Sequence, residues 1–180
     1  MQNARINSDD GIGYFKDLFK RCSKVMLKIK NLPKPVIAEV QGIATAAGCQ
    51  LVATCDIAIA SKNASFGVNG VNIGLFCSTP MVALSRNISR KKTFEMLVTG
   101  DFLTANDAKE AGLINHVTEE NELSNKTNEI AQKITEKFKR VVKKFYTNKS
   151  FRNEMKNNLI KLSKPNATTE IVNHIKELIN

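Results

Sequence analysis

The chain has 180 residues, a length that suits one compact domain with a core of its own. Its hydrophobic share of 42% is ordinary for a globular protein, and no apolar run is long enough to cross a bilayer. The cysteines form no CxxC pair and have apolar neighbours, which predicts buried free thiols in a reducing compartment rather than disulfides or a metal site. These cysteines are Cys22, Cys49, Cys55 and Cys77.

The net charge of +10 is concentrated near the C-terminus, where eleven Lys or Arg between Lys133 and Lys164 stand against Glu136 and Glu154. Three interpretations compete: a solvated helical face, a patch that attracts the phosphates of a CoA-type ligand, and a nucleic-acid-binding face. Aromatic residues in this stretch fall mostly at helical spacing, which is typical of core rather than of a stacking platform for bases. The solvated face is favoured.

The chain begins with a polar stretch, residues 1–11, which we expect to be poorly ordered. Apolar side chains then recur at helical spacing from Phe15 to Ile29, with lysines on the other side, and predict an amphipathic helix that ends before Pro33. The candidate caps of this helix are Ser8, Asp9 and Asp10.

The central stretch predicts a strand, a tight turn, a short helix and a second strand. Val36–Val40 and Asp56–Ala60 are short apolar runs that suit strands buried on both faces. Gly42 allows the turn that follows the first of them. A block of very small residues then leads into a helix that extends to about Ala53.

This block of small residues fits two interpretations: a helix start that binds a ligand, or close packing of a helix against a sheet. The first N–H groups of a helix lack intrahelical partners, and the helix dipole favours negative charge there. Because the side chains of Ala46, Ala47 and Gly48 are short, a ligand can reach that backbone, which can hold an anion or a thioester oxygen. The same residues let a helix pack close to a sheet, and on spacing alone the packing interpretation is favoured.

The rest of the chain predicts short elements followed by helices. In order they are a strand at Ser65–Gly67, a loop at Val68–Gly74, a helix from Pro80 to about Asn87, a helix at Arg90–Thr99 ended by Gly100, a capping-box helix from Thr104 ended by Gly112, a strand at Leu113–Val117, and helices near 123–134, 141–158 and 171–179. The boundary near Glu119 separates an α/β core, residues 1–118, from a helical region, residues 119–180.

Several motifs, in order and at matching spacing, resemble the enoyl-CoA hydratase/isomerase (crotonase) family. They are Leu18–Met26, Lys34–Asp56, Ala64–Gly67, Val71–Leu75 and Gly74–Pro80. The resemblance runs from about Leu18 to Val117. It implies an α/β fold, a partial ClpP-like spiral of β-β-α turns, with C-terminal helices in 119–180 that build trimers. The expected assembly of the full-length family is thus a homo-oligomer, a trimer or a hexamer. It also implies an acyl-CoA thioester as substrate or ligand, fatty-acid metabolism, a mitochondrial location, and neither cofactor nor metal.

The family holds the thioester oxygen with two backbone N–H groups, and the helix-start N–H falls on Ala47 within the substrate-binding block 46–48. The other N–H comes from a loop of an earlier spiral turn that has no counterpart here, so the resemblance makes the chain look N-terminally truncated. On that view we expect the first strands to leave an apolar flank uncovered, at a cost on the order of 10 kcal/mol. The isolated chain is then expected to be marginally stable or aggregation-prone.

The two acid–base glutamates of family hydratases fall on Gln50 and Gly70, and an acid of dienoyl isomerase relatives falls on Ser78. Glutamine cannot transfer a proton at neutral pH, and glycine has no side chain to do so. General acid–base groups contribute roughly 10²–10⁴ in rate, and one oxyanion donor roughly 10²–10³. We therefore expect weak or no hydratase activity, and the sequence leaves open whether the chain is an enzyme.

Three functions compete. The first is a crotonase-family acyl-CoA-binding protein, the second a non-catalytic module that joins family trimers, and the third an RNA binder like one crotonase relative. The third is the least favoured, since it rests on charge alone. The segment Met1–Gly13 has neither a signal core nor the composition of a transit peptide, which points to the cytoplasm if the chain is complete as given.

Overall fold

The computed structural model describes residues 11–162 of the chain. The expected disorder of the N-terminus, the candidate caps before residue 11 and the helix predicted at 171–179 therefore lie outside the described residues. By internal contacts the chain forms two units, Met1–Ala131 and Gln132–Asn180. Helix α6 runs from the first unit into the second.

The strands are β1 Ile37–Val40, β2 Ile43–Thr45, β3 Ile57–Ser61, β4 Ser65–Gly67, β5 Leu103–Thr104 and β6 His116–Thr118. The α-helices are α1 Ile12–Lys30, α2 Ala47–Thr54, α3 Ser78–Leu84, α4 Arg90–Thr99, α5 Ala105–Glu110, α6 Leu123–Thr147 and α7 Lys149–Leu162. Short 3-10 helices occupy Asn69–Ile73 and Glu120–Glu122.

Between residues 11 and 131, the described part of the first unit, the strands form two three-stranded sheets. One sheet has the order β1-β3-β6 with all strands parallel, and the other has the order β2-β4-β5 with β5 antiparallel to β4. The chain therefore passes through one strand of each sheet, then a helix, and then repeats the path with β3 and β4. This arrangement is the predicted α/β spiral of β-β-α turns, followed by C-terminal helices.

The core of the first unit lies between the sheets and helices α2, α3, α4 and α5. Its largest fully buried side chains include Phe66, Ile59, Leu84, Met96 and Leu97. Capping fixes the ends of its helices: Thr104 accepts a hydrogen bond from the Asp107 N–H, and the Asp107 carboxylate accepts one from the Thr104 N–H, the predicted capping box. The Thr104 hydroxyl also donates to the Asp107 carboxylate at 2.7 Å, and this hydrogen bond, together with the one from the Thr104 N–H, holds the pKa of Asp107 below its usual value.

The first strand differs from the prediction of burial on both faces. Strand β3, in the middle of its sheet, is buried from Ala58 to Ser61, as expected. In β1, however, Glu39 is exposed and only Ala38 and Val40 are buried. The reason is position, because among the described strands β1 pairs only with β3, and Glu39 accepts a hydrogen bond from the Ser124 hydroxyl at 2.6 Å.

Strands β2 and β5 were not predicted. Ile43–Thr45 lies in the stretch assigned to a turn and helix start, yet it pairs with β4, with Ile43 opposite Ser65. A three-residue strand is too short to show an alternating pattern, so only the pairing with β4 reveals it. As the edge of its sheet, β2 leaves the Ile43 side chain 72% exposed.

The helical boundaries near the C-terminus also differ. Helix α6 is continuous through Thr147, where two separate helices were expected, because no Gly or Pro interrupts it. A break then falls at Asn148, inside the predicted helix 141–158. The Asn148 side chain accepts a hydrogen bond from the Phe151 N–H at 2.9 Å and so starts α7.

The prediction that all four cysteines are buried is wrong. Cys49 is buried, but Cys55 and Cys77 are half-buried and Cys22 is exposed, and all four are free thiols. Cys22 lies on α1, none of whose residues is buried, so its apolar neighbours in sequence do not cover it. Within residues 11–162, no helix has both the length and the apolar character needed to span a bilayer.

Candidate functional site

The candidate site is the start of α2, which begins at Ala47. The Gln50 N–H makes a hydrogen bond to the Ala46 carbonyl at 2.9 Å, so the N–H groups of residues 47–49 precede the first intrahelical bond. Ala47 and Gly48 are exposed, and a Cβ added at Gly48 would meet nothing within 4 Å. The helix start is therefore open to a ligand.

Ala46 holds the backbone of this turn in a strained conformation. Its φ is 47° and its ψ is −113°, and it is the only non-glycine residue with positive φ among those the structure describes. Such a conformation costs an alanine on the order of 1–3 kcal/mol and persists only where the surroundings impose it. The Ala46 N–H donates to the Gly67 carbonyl at 2.9 Å, which fixes the turn against the end of β4.

Two further contacts tie the same turn to β4 and the loop after it. The Thr45 hydroxyl donates to the Asn69 side-chain oxygen at 2.7 Å. The buried Cys49 sulfur accepts a hydrogen bond from the Gly67 N–H, while burial raises the pKa of the Cys49 thiol to about 12. At neutral pH Cys49 is a protonated packing residue, and its role here is to anchor α2.

Gln50 lies one turn into α2 and lines a cavity of about 490 Å³ beside α1 and α3. Thr79, Asp56, Arg86 and Lys30 also line it, next to apolar side chains such as Met26 and Val82. Sequence reasoning missed these polar neighbours of Gln50. Nothing in the local pattern marks them, since Thr79 and Arg86 come 29 and 36 positions later and are brought there by the fold.

Gly70 lies in a tightly packed loop. It lies in the 3-10 helix after β4, and its carbonyl accepts a hydrogen bond from the Leu75 N–H at 2.9 Å. A Cβ at Gly70 would stand 2.8 Å from the Leu75 carbonyl oxygen and 2.8 Å from the Cys77 sulfur. Any side chain here, including glutamate, requires the loop to move.

The structure thus places the predicted residues in different surroundings. Ala46, Ala47 and Gly48 form the open helix start, and Gln50 follows on the same helix and lines the cavity. Gly70 packs against its own loop, close in sequence to the Thr45–Asn69 contact. Ser78, the position of the dienoyl isomerase acid, starts α3 and is exposed. The oxyanion role of Ala47 stays a prediction.

Comparison with known proteins defines the class. The profile of the family described as enoyl-CoA hydratase/isomerase matches residues 14–175, and the chain belongs to this family. Among solved structures, an enoyl-CoA hydratase from Mycobacterium smegmatis aligns with a TM-score of 0.68 and 42% identity, over 92% of this chain and 68% of that one.

Particular relatives share a more specific name. The human mitochondrial enoyl-CoA hydratase domain-containing protein 3 is 53% identical over 129 residues, which cover 72% of this chain and 43% of the human protein. The crystal structure of the human protein aligns with a TM-score of 0.70 and 39% identity, over 96% of this chain and 72% of that chain. The Xenopus laevis protein of the same name is 52% identical over 129 residues, 72% of this chain and 44% of that protein. The matched part of this chain spans less than half the length of these curated relatives.

Proposed function

We propose that this chain binds an acyl-CoA thioester and holds the thioester oxygen at the start of α2, with weak or no hydratase activity. The observation that carries the proposal is the strained, solvent-open turn at Ala46–Gly48. Strain of this kind is retained where the backbone is preorganised for a function. Family membership supplies the ligand class, because the relatives carry names of enoyl-CoA hydratases.

The chemistry of the site follows from its donors. A thioester carbonyl gains negative charge on oxygen when its carbonyl carbon or α-carbon reacts, and the N–H of Ala47 and the α2 dipole favour that charge. One fixed donor polarises a carbonyl but adds no proton transfer. Hydration of a double bond also requires an acid and a base at the α- and β-carbons.

Both positions that would supply these groups lack a carboxyl group. Gln50 is able to orient a water molecule in the cavity it shares with Thr79, but it cannot take the proton from that water. Gly70 offers no side chain and has no room for one. Binding without fast turnover is the function that this arrangement supports best.

A graded series at Gly48 tests the binding site. Because a Cβ there meets open space, Gly48→Ala and Gly48→Leu are both expected to fold, and each also removes the glycine penalty in a helix. We expect butyryl-CoA binding, measured by isothermal titration calorimetry, to survive Gly48→Ala and to weaken at least ~10-fold in Gly48→Leu, since a side chain of that size closes the approach to the Ala47 N–H. Equal affinities in all three chains would contradict the proposed site.

Turnover is a separate measurement. Hydration of crotonyl-CoA, followed by the loss of its conjugated absorbance, is expected to stay at background for the wild-type chain. A rate near that of an ordinary hydratase would overturn this part of the proposal. Gln50→Glu alone is expected to restore little activity, since a second proton-transfer group is still missing at Gly70.

Location and assembly are also proposals. The relatives named above are mitochondrial by name, and we propose the mitochondrion for this chain. A role in fatty-acid metabolism follows from the proposed ligand. Trimer formation through residues 119–180 stays a prediction, which light scattering behind size-exclusion chromatography tests: a mass three times that of the chain is the expected result.

A further inference from the structure

The cavity that Gln50 lines continues along α2, away from the helix start. It lies between α1, α2 and α3, and its lining residues on α2 and just after it run from Gln50 to Asp56. An acyl chain whose thioester oxygen is held at Ala47 can therefore extend past Gln50 into this cavity. The side chains at the far end of the cavity then indicate which kind of acyl tail fits.

Hydrogen bonds between α2 and the end of α3 define that far end. The Asn87 amide nitrogen donates to the Ala53 carbonyl at 2.7 Å and to the Ala83 carbonyl at 2.8 Å. Arg86 directly precedes Asn87 and lines the cavity together with Ala53. Ala53 comes six residues after Ala47, which corresponds to about 9 Å along the helix axis. Arg86 is thus within reach of the tail of a short acyl chain that starts at Ala47.

Two cations at the far end of the cavity are available to a ligand. Arg86 follows α3, and Lys30 is the last residue of α1. Neither forms an ion pair with any residue that the structure describes. Both residues are exposed, so their charges carry little desolvation cost and attract an anion that enters the cavity.

A single carboxylate, that of Asp56, is found among the described residues that line the same cavity. It accepts a hydrogen bond from the Val36 N–H at 2.8 Å, which ties the end of α2 to the start of β1. Within residues 11–162 it forms a salt bridge with neither Arg86 nor Lys30, so the lining stays net positive. Another cavity beside α2, of about 500 Å³, has Glu39 as the one charged residue among its described lining residues, and it would repel an anion.

The lining favours an acyl tail that ends in a negative charge. Met26, Ala53 and Val82 supply apolar surface that suits the methylenes of an acyl chain. A plain fatty acyl chain would bring its methyl end against Arg86 and Lys30, and it would displace water from charges that it cannot bind. A terminal carboxylate instead accepts charge-assisted hydrogen bonds, and the planar Arg86 guanidinium suits a bidentate pair.

We propose that the ligand is the CoA monothioester of a dicarboxylic acid, whose thioester oxygen binds the Ala47 N–H and whose far carboxylate binds Arg86 and Lys30. This inference rests on the proposed function, because it extends the same site from the helix start into the cavity. Gln50 lies between the two ends and borders the middle of the acyl chain.

The test compares two ligands of equal carbon number, adipoyl-CoA, which ends in a carboxylate, and hexanoyl-CoA, which ends in a methyl group. Both acyl chains are saturated, so they report binding without hydration. Isothermal titration calorimetry on the full chain is expected to show at least ~10-fold tighter binding of adipoyl-CoA, with a difference that decreases as salt is added.

The outcomes separate this inference from the proposed function. Equal affinities for the two ligands would overturn the dicarboxylic assignment and leave acyl-CoA binding at the helix start intact. No binding of either ligand, or binding of both that Gly48→Leu leaves unchanged, would overturn the proposed function and this inference with it.

Variants of the two cations test the contact with the tail. Arg86→Gln is expected to weaken adipoyl-CoA binding at least ~10-fold and to leave hexanoyl-CoA binding unchanged, while Arg86→Lys retains most of the preference. Lys30→Gln is expected to act in the same direction by about 3-fold. The matched Arg90→Gln, at an exposed position at the start of α4 outside the cavity, is expected to change neither affinity.

Two results with these variants would reject the inference. If Arg86→Gln weakens the binding of both ligands equally, the guanidinium contacts the CoA part that the ligands share. If Arg86→Gln unfolds the chain, as circular dichroism would show, Lys30→Gln carries the test. An unchanged preference for adipoyl-CoA in Lys30→Gln would then contradict the assignment.

Discussion

The two units of the chain are stabilised by different means. The first unit buries Phe66, Ile59 and Leu84 completely between its sheets and helices. The helical unit, from Gln132 to Lys161, buries none of its described residues and has ten basic side chains against two acidic ones. Stability in the first unit therefore comes from packing. In the second it comes from helix formation itself and from contacts such as Lys144 above the Phe151 ring, at 4.2 Å.

The largest expected difference in stability is between two phenylalanine-to-alanine variants, one at a buried position of the first unit and one at an exposed position of the second. Phe66→Ala, at a side chain with 0% exposure, is expected to lower the free energy of unfolding by about 3–5 kcal/mol. Phe138→Ala, at 69% exposure, is expected to change it by less than about 0.5 kcal/mol. Urea denaturation followed by circular dichroism measures both. Similar losses in the two variants would mean that the second unit is packed as firmly as the first.

A carboxylate placed at Gly70 tests whether the loop of the first unit is built around a glycine. Gly70→Glu is expected to destabilise the chain by about 1–3 kcal/mol, because its Cβ meets the Leu75 carbonyl and the Cys77 sulfur. Gln50→Glu, on a side chain that lines a cavity, serves as the matched change and is expected to cost less than about 1 kcal/mol. Equal thermal unfolding midpoints for the two variants would show that the loop yields easily.

The pH dependence of stability reports the anchoring of α2. Burial raises the pKa of Cys49 from 9.0 to about 12, so the folded state favours the protonated thiol. Its contribution is complete below pH 9 and is lost as the pH rises toward 12, by about 1 kcal/mol for each pH unit above 9. We expect the chain to lose that much more stability than Cys49→Ala between pH 9 and pH 10. If the stability of the wild-type chain and of Cys49→Ala falls with pH at the same rate, the Cys49 thiol is exposed to water rather than buried.

The smallest expected difference in stability is between two threonine-to-alanine variants, one in each unit. Thr104→Ala removes the capping box of α5 and is expected to cost about 1 kcal/mol. Thr147→Ala removes a hydroxyl that only donates to the Lys143 carbonyl within α6, and is expected to change stability by less than about 0.5 kcal/mol. Guanidinium titrations measure the free energy of unfolding of both variants. A greater loss of stability in Thr147→Ala than in Thr104→Ala would contradict this prediction.

Local chemistry made part of this fold predictable. The capping box at Thr104 and the helix end at Gly100 depend on side chains within a few residues, and both are confirmed. Strand β2 was not predictable, because its identity comes from pairing with β4 twenty-two residues later. The exposure of Cys22 was missed for a similar reason: apolar spacing shows that α1 has an apolar face but not what covers it.

The candidate site likewise has features that the sequence predicts and features that only the fold shows. The small residues before Gln50 mark a helix start from sequence alone, and α2 begins at Ala47. The positive φ of Ala46 had no signal, because alanine rarely takes that conformation and the contact with Gly67 imposes it. Likewise, the absence of a carboxylate at Gly70 is visible in the sequence, while the lack of space for one appears only in the folded loop.

The central claim, that the Ala47 N–H holds an acyl-CoA thioester oxygen, is tested most directly by nuclear magnetic resonance. Butyryl-CoA labelled with carbon-13 at the thioester carbonyl is saturated and cannot be hydrated, so it reports binding alone. When it is added to the nitrogen-15-labelled chain, the account predicts a downfield shift of the Ala47 amide proton and of the thioester carbon, and in Gly48→Leu both shifts need at least ~10-fold more ligand. An Ala47 amide that stays unmoved while butyryl-CoA binds elsewhere would contradict the account.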